Sequence, residues 1–133
     1  MNEITELVKV TKAKSILYVE DDKDIRFNVS ELLKNLFSTV TSAVDGLDGL
    51  EKFKAADYDY IITDIKMPKM NGITMMEEIL KLKPSQKIII TTAHDEKEFL
   101  EKFKSLGVTY ILQKPITFDS LLDTLNQIVH ETD

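Results

Sequence analysis

Short apolar runs alternate along the chain with longer stretches whose apolar residues recur at helical spacing. This alternation is typical of βαβ units, in which each strand is followed by a helix that packs on the sheet. The first, third and fourth runs are almost continuously apolar, as is expected of strands buried on both faces. The predicted strands, all rich in Ile, Val, Tyr and Thr, are residues 15–19, 38–44, 60–63, 87–91 and 110–113.

Five sets of apolar residues at helical spacing lie between or after these strands, and each predicts a helix with one apolar face. Pro84 and Gly107 stand where the third and fourth of these helices should end. Strict alternation of five strands with five helices predicts an α/β fold, a parallel sheet covered on both faces with right-handed crossovers. The sets are Ile25, Val29, Leu32, Leu33 and Leu36; Leu47, Leu50 and Phe53; Ile73, Met76, Ile79 and Leu80; Phe99, Phe103 and Leu106; and Leu121, Leu122, Leu125, Ile128 and Val129.

Residues 1–13 stand outside this pattern, so residues 14–133 are expected to form one domain. We expect the first thirteen residues to be a frayed, partly ordered N-terminal extension. The alternative is that Ile4, Leu7 and Val8 form one helical turn against a neighbour.

Composition narrows the classes of function. The 133 residues are enough for a core of their own, and the absence of cysteine excludes disulfides and thiolate chemistry and fits a cytoplasmic protein. The net charge of -6 argues against nonspecific nucleic-acid binding, which needs a positive surface. No apolar run at the N-terminus is long enough for a signal peptide or a membrane span, so no membrane insertion is expected.

Acidic residues follow two of the strands that are predicted to be buried. Glu20, Asp21 and Asp22 come directly after the first strand, and Asp64 follows the third. If these strands are neighbours, their carboxylates converge at the edge of the sheet where ligands bind in open α/β folds. The mutual repulsion of Glu20, Asp21 and Asp64 then requires a cation, and oxygen ligands without Cys or His favour Mg²⁺. For Asp22 we favour the role of helix N-cap.

A hydroxyl and an ammonium group are predicted at the same edge. Thr91 and Thr92 end the fourth strand, and Lys114 ends the fifth. Such groups suit a phosphoryl group, and a carboxylate can itself accept one as an aspartyl phosphate. Nucleotide binding is disfavoured because the loop after the first strand, VEDDKD, lacks glycines, and no G-x-x-x-x-G-K-[ST] motif occurs.

From about residue 14 to the C-terminus, the chain resembles the receiver domains of two-component response regulators. ILYVEDD is similar to the family's acidic-pocket strand, IITDIKMPKMNG to its phosphoacceptor strand and loop with Pro68 and Gly72, IIITTAH to its hydroxyl strand, and QKPI to its lysine-proline corner. The resemblance implies a flavodoxin-like, doubly wound sheet of order 2-1-3-4-5. It also implies a receiver of the stand-alone type that the chemotaxis response regulator represents.

The resemblance further implies a chemical role for each matching residue. Asp64 would accept the phosphoryl group, Asp21 would coordinate Mg²⁺ directly, and Glu20 would do so through water or shape the pocket. The backbone carbonyl of Lys66 would be a further metal ligand. Thr92 would hydrogen-bond one phosphoryl oxygen.

Lys114 would pair with another phosphoryl oxygen, and its bond to Pro115 would be cis. The donor would be a sensor histidine kinase or a phosphotransfer protein, and the output would be binding to a partner protein. The domain would catalyse only its own phosphorylation and dephosphorylation and is in that sense not an enzyme. The side chains of Lys66 and His94 would flank the site and tune the lifetime of the phosphoryl group.

One position departs from the family pattern. The family's aromatic switch residue lies three residues before the lysine, and here that residue is Ile111. Neighbouring Tyr110 should point to the opposite face of the strand, so it should not replace the switch. This departure leaves open how a signal would reach the face made by the fourth helix, fifth strand and fifth helix.

Two other classes of protein are alternatives to a phosphorylated receiver. A haloacid-dehalogenase-type phosphatase needs a second Asp two residues after the nucleophile, where Lys66 stands. A degenerate receiver would act as a phosphorylation-independent interaction module, which the intact acids, Thr92 and Lys114 disfavour and Ile111 permits. Because little sequence follows Lys114, no DNA-binding output domain is expected in this chain, although it could be part of a longer protein.

Overall fold

The computed structural model describes residues 3–93 and 98–132, within which five strands form a parallel sheet flanked by six helices. The strands are β1 (Ser15–Val19), β2 (Thr39–Ala43), β3 (Tyr60–Thr63), β4 (Lys87–Thr92) and β5 (Tyr110–Gln113). The helices are α1 (Glu3–Thr11), α2 (Lys23–Lys34), α3 (Gly46–Ala55), α4 (Gly72–Leu82), α5 (Leu100–Ser105) and α6 (Phe118–Thr132). His94 lies outside the described residues.

The strand order β2-β1-β3-β4-β5 confirms the predicted doubly wound sheet. The chain winds outward in opposite directions from β1 and β3, so the crevice of this fold lies beyond the carboxyl ends of these two strands. Val19 is paired with Thr63 in the register, and the amide of Asp64 donates a hydrogen bond to the carbonyl of Val19. Glu20 and Asp64 therefore leave the sheet side by side.

Each face of the sheet contributes to its own apolar cluster, because alternate residues of a strand point to opposite faces. Tyr18 and Ile62 lie in the cluster covered by α1, α2 and α6, which we call the first cluster. Val19 and Ile61 lie in the second cluster, which α3, α4 and α5 cover. β1 and β3 are buried on both faces, as their apolar sequences predict.

The N-terminal segment is more ordered than the sequence indicated. Residues 3–11 form helix α1, which packs on α6 and brings the count of helices to six instead of the predicted five. These residues follow the alternative of a helical turn at Ile4, Leu7 and Val8 more closely than the frayed, partly ordered extension: Leu7 is 4% exposed and joins the first cluster, with Val8 and Val10 packed against it. A helix of nine residues is marginal alone, and this burial stabilises it.

The ends of the elements follow local sequence signals. Asp22 caps α2 by accepting a hydrogen bond from the amide of Ile25 at 3.0 Å, as predicted. Pro84 follows the end of α4, and Gly107, with φ of 80°, follows α5. β2 is one residue shorter at each end than predicted, and β4 extends one residue further, to Thr92.

Candidate phosphoacceptor site

Three carboxylates meet beyond the carboxyl ends of β1 and β3. Glu20, Asp21 and Asp64 each offer an oxygen, and these oxygens lie within 4.8 Å of one another. Glu20 is 1% exposed and Asp64 is 5% exposed, whereas Asp21 faces solvent. The predicted convergence is confirmed, and it follows directly from the adjacency of β1 and β3.

Lys114 joins this group from the end of β5. Its Nζ lies 2.6 Å from Oδ2 of Asp64 and 3.6 Å from Oε1 of Glu20. The peptide bond between Lys114 and Pro115 is cis, as the resemblance implied. One ammonium group therefore faces both buried carboxylates.

Backbone amides orient the two buried acids. Oδ1 of Asp64 accepts a hydrogen bond from the amide of Ile65 at 2.8 Å, and Oε2 of Glu20 accepts one from the amide of Asp22 at 3.0 Å. Among the described residues, the buried Oε1 of Glu20 has no hydrogen-bond partner. An acceptor left in this state is costly, so the site fits a cation that this oxygen can face directly or through water.

The electrostatics of Glu20 support the same interpretation. Burial, and after it the charge of Asp64, raise the pKa of Glu20 to about 7, against the lowering effects of the Asp22 amide and Lys114. A single ammonium group therefore does not balance the acids around it. Added positive charge would favour the ionised form of Glu20.

The two threonines at the end of β4 have different surroundings. The hydroxyl of Thr91 donates a hydrogen bond to the carbonyl of Thr63 at 3.4 Å, so it links β4 to β3 inside the sheet. The carbonyl of Thr92 accepts a hydrogen bond from the amide of Lys114 at 2.8 Å. Thr92, which is 8% exposed, is therefore the β4 threonine at the edge where Lys114 turns toward Asp64.

The structure adds residues that the sequence interpretation missed. Arg26, one turn into α2, donates from Nη1 to the carbonyls of Glu20 at 2.9 Å and Asp21 at 3.3 Å. The buried ring of Tyr18 lies near the site, where burial and then the charges of Glu20 and Asp64 hold its hydroxyl pKa well above the usual range. No local motif predicts the hydrogen bonds of Arg26 or the position of Tyr18, since both depend on how α2 and β1 pack.

Tyr110 and Ile111 on β5 point to opposite faces, as predicted. Tyr110 packs against the first cluster, and its hydroxyl donates a hydrogen bond to Glu131 on α6. Ile111 is 39% exposed. Tyr110 is therefore bonded to α6, and Ile111, at the position of the family's aromatic switch residue, is an exposed aliphatic side chain.

Comparison with known proteins identifies the family. Residues 16–126 match the response regulator receiver domain, and the chain belongs to this family. It is 32% identical over 117 residues to chemotaxis protein CheY of Treponema pallidum (strain Nichols), covering 86% of this chain and 81% of that protein. It is 30% identical to chemotaxis protein CheY of Bacillus subtilis (strain 168), covering 89% of this chain and 99% of that protein.

Solved structures show the same fold. The N-terminal domain of an uncharacterised protein of Wolinella succinogenes (WS1339) aligns with a TM-score of 0.82 and 38% identity, covering 90% of this chain and 97% of that one. Chemotaxis response regulator CheY4 of Vibrio cholerae aligns with a TM-score of 0.78 and 30% identity, covering 86% of this chain and 98% of that one.

Among the described residues, no helix has the length and apolar character needed to cross a bilayer.

Proposed function

We propose that this receiver domain accepts a phosphoryl group on Asp64 and signals by binding a partner protein. The observation that carries the proposal is the 2.6 Å contact between Lys114 Nζ and Asp64 Oδ2, with two further carboxylates at the same edge. A buried carboxylate held by an amide on one oxygen and an ammonium on the other is fixed in orientation. A fixed orientation favours in-line attack on phosphorus.

The reaction is proposed to require Mg²⁺, held by Asp21, Asp64, the backbone carbonyl of Lys66 and, directly or through water, Glu20. The three carboxylates, and the buried oxygen of Glu20 that accepts no hydrogen bond among the described residues, support this set. Bound Mg²⁺ supplies positive charge for the phosphoryl oxygens. The side chain of Lys66 is exposed, so it can flank the site and affect the access of water.

In the transfer step, an oxygen of Asp64 forms a bond to phosphorus while the phosphorus–nitrogen bond of a phosphohistidine breaks. The imidazole takes the bonding electron pair. Lys114 and the hydroxyl of Thr92 donate hydrogen bonds to the phosphoryl oxygens, whose charge spreads in the transition state. Water later cleaves the acyl phosphate, so the domain catalyses only its own phosphorylation and dephosphorylation.

We propose a sensor histidine kinase or a phosphotransfer protein as the donor. A mostly apolar groove of about 380 Å³ supports docking of a protein donor, because Lys114, which contacts Asp64, is among its lining residues. The others are Ile25, Asn28, Val29, Pro115 and Ile116. We further propose that residues 14–133 are the receiver domain with residues 1–13 as its extension, and that the protein is cytoplasmic. The lack of cysteine and the similarity to chemotaxis proteins support this location.

The test is the mass of the purified chain after incubation with acetyl phosphate and Mg²⁺. The wild type is expected to gain one phosphoryl group that is labile to both acid and base, and Asp64→Asn should abolish the gain. Asp22→Asn is the matched control, since an amide oxygen can still cap α2. A wild-type mass that never shifts would support a phosphorylation-independent module, and multiple turnover of small phosphate esters would support a phosphatase.

A further inference from the structure

The segment between Asp64 and α4, residues 65–71, is held against the neighbouring turn between β2 and α3. We call this segment the acceptor loop. The amide of Gly46, the first residue of α3, donates a hydrogen bond across to the carbonyl of Met70 at 3.0 Å. An amide in the first turn of a helix has no partner within that helix, so this bond uses a free donor to hold the far end of the loop.

The contact between Gly46 and Met70 leaves no room for a side chain. A Cβ built on Gly46 would lie 2.0 Å from the carbonyl oxygen of Met70, which is backbone and cannot rotate away. Alanine is otherwise preferred to glycine inside a helix, and Gly46 has no left-handed backbone that would require glycine. The close approach to the acceptor loop is therefore what favours glycine here.

The acceptor loop is strained just before this contact. Lys69 has φ of 65°, and the amide of Met70 donates to the carbonyl of Pro68 at 2.7 Å, the hydrogen bond of a tight γ-turn. A non-glycine residue in such a turn persists only where its surroundings hold it. The surroundings here are Gly46 and the buried carboxylate of Asp45, whose Oδ2 lies 4.0 Å from Lys69 Nζ.

Asp45 also anchors the turn to α3. It is 5% exposed, and its Oδ1 caps the helix by accepting a hydrogen bond from the amide of Asp48 at 2.8 Å. The other end of the loop is held at Gly72, whose amide donates to the carbonyl of Ile65 at 2.7 Å. The acceptor loop is thus tied at Ile65 and at Met70, and Lys66 lies on the short span between these two ties.

We propose that Gly46 and Asp45 are positioning residues for the proposed phosphoryl transfer. Gly46 bonds Met70 directly, Asp45 fixes the start of α3 from which that bond is made, and together they set the place of the loop carbonyls, including that of Lys66, and thereby the affinity of the site for Mg²⁺. This inference rests on the proposed function of Asp64. Neither residue contacts the acids of the site in the contacts described above. Their effect should therefore fall on metal binding and leave the chemical step at saturating Mg²⁺ intact.

Gly46→Ala tests the inference, with Gly49→Ala as the matched control. Gly49 lies on the same helix, and a Cβ there would meet the side chains of Met75 and Val19 and not the acceptor loop. Gly46→Ala is expected to raise the Kd for Mg²⁺ at least fivefold by calorimetry and to shift the backbone amide resonances of Ile65 and Lys66 before Mg²⁺ is added. Gly49→Ala, whose Cβ would press on the side chains of Met75 and Val19, should shift these resonances less and change the Kd for Mg²⁺ by less than twofold.

Phosphorylation by acetyl phosphate provides a further readout. In Gly46→Ala the Mg²⁺ concentration for half-maximal rate should rise with the Kd, while the maximal rate stays within twofold of wild type. Equal Mg²⁺ affinity in Gly46→Ala and Gly49→Ala would overturn the inference. If the wild type is not phosphorylated, the proposed function is overturned instead. The Mg²⁺ affinities and the amide resonances would still test whether Gly46 positions the acceptor loop.

A second pair of variants keeps the test decisive if Gly46→Ala does not fold. Asp45→Ala removes the cap that fixes the start of α3, whereas Asp45→Asn keeps an oxygen acceptor for the amide of Asp48. We expect Asp45→Ala to weaken Mg²⁺ binding in the same direction as Gly46→Ala and Asp45→Asn to stay within twofold of wild type. Wild-type affinity in both Asp45 variants would contradict the positioning role.

Discussion

The carboxyl ends of β1 and β3 differ from the edge strand β5 in how strongly their side chains are constrained. At the first location Glu20 and Asp64 are buried and held by amides and by Lys114. At β5, Ile111 is 39% exposed, and Tyr110 is bound to Glu131 of α6. The comparison teaches that the buried site keeps the carboxylates and the lysine that the resemblance predicts, while the β5 edge carries Ile111 where an aromatic residue is expected.

After the loss of Asp64 itself, the largest expected effect at the site of Glu20 and Asp64 comes from Lys114→Met. Loss of the ammonium that contacts Asp64 and Glu20 should lower the rate of phosphorylation by acetyl phosphate by about a hundredfold, because one charge-stabilising donor is removed. Lys87→Met, an exposed lysine at the start of β4, is the control and should react like wild type. A phosphorylation rate of Lys114→Met within threefold of wild type would show that the Lys114 ammonium does not stabilise the transfer.

Glu20→Gln should separate the stability of the site from its function. Burial, and after it Asp64, raise the pKa of Glu20 from 4.5 to about 7, so the destabilisation by this carboxyl group grows as the pH rises between these values and is complete only above the higher one. Without Mg²⁺, thermal unfolding of Glu20→Gln should therefore show a free energy of unfolding raised by about 1 kcal/mol at pH 8 and by less below pH 7. Calorimetry should show Mg²⁺ affinity reduced roughly tenfold. Glu31→Gln, at an exposed residue of α2, should change neither quantity by a comparable amount.

At the β5 edge, Tyr110→Phe should lower the free energy of unfolding by about 1 kcal/mol through loss of the hydrogen bond to Glu131, with no change in phosphorylation rate. The bond to Glu131, and burial after it, raise the pKa of Tyr110 to about 12 from 10.0. Because the folded state holds this proton more tightly, the stabilisation is complete below pH 10 and is lost as the pH rises toward 12.

Ultraviolet titration of tyrosinate tests this shift directly. Glu131→Gln keeps an acceptor without the charge, so it should lower the midpoint of Tyr110. A midpoint that stays in place in Glu131→Gln would show that Glu131 is not the cause.

The smallest effect is expected for Ile111→Ala. Its side chain is 39% exposed and belongs to neither apolar cluster, so the free energy of unfolding should fall by no more than about 1 kcal/mol in urea unfolding. The phosphorylation rate should match wild type. A loss of phosphorylation rate, measured by mass, would mean that the two regions are more tightly coupled than their contacts indicate.

Much of the fold was predictable because its signals are local. The apolar runs of β1 and β3 coincide with the observed strands, and Asp22 caps α2 as expected. Helix α1 was not predictable with the same ease, because nine residues with modest apolar content become helical only when Leu7 is buried against the first cluster. The receiving surface for Leu7 is formed by residues far along the chain.

The candidate site divides in the same way. The placement of acids, threonine and lysine after successive strands was enough to predict that Glu20, Asp64 and Lys114 would meet. The bonds of Arg26 to the acidic loop and of Gly46 to Met70 were not predictable, since neither residue type nor spacing identifies its partner.

The sequence by itself determined which chemical groups stand at the strand ends, because apolar runs buried on both faces, alternating with helices, leave a parallel sheet few other arrangements. Only the tertiary structure decided how those groups are held. Three features depend on the approach of segments distant in sequence: the ion pairs of Lys114 with Glu20 and Asp64, the hold on the strained turn at Lys69, and the contact that excludes a side chain at Gly46. Such distances are set by tertiary packing, which a local sequence pattern does not predict.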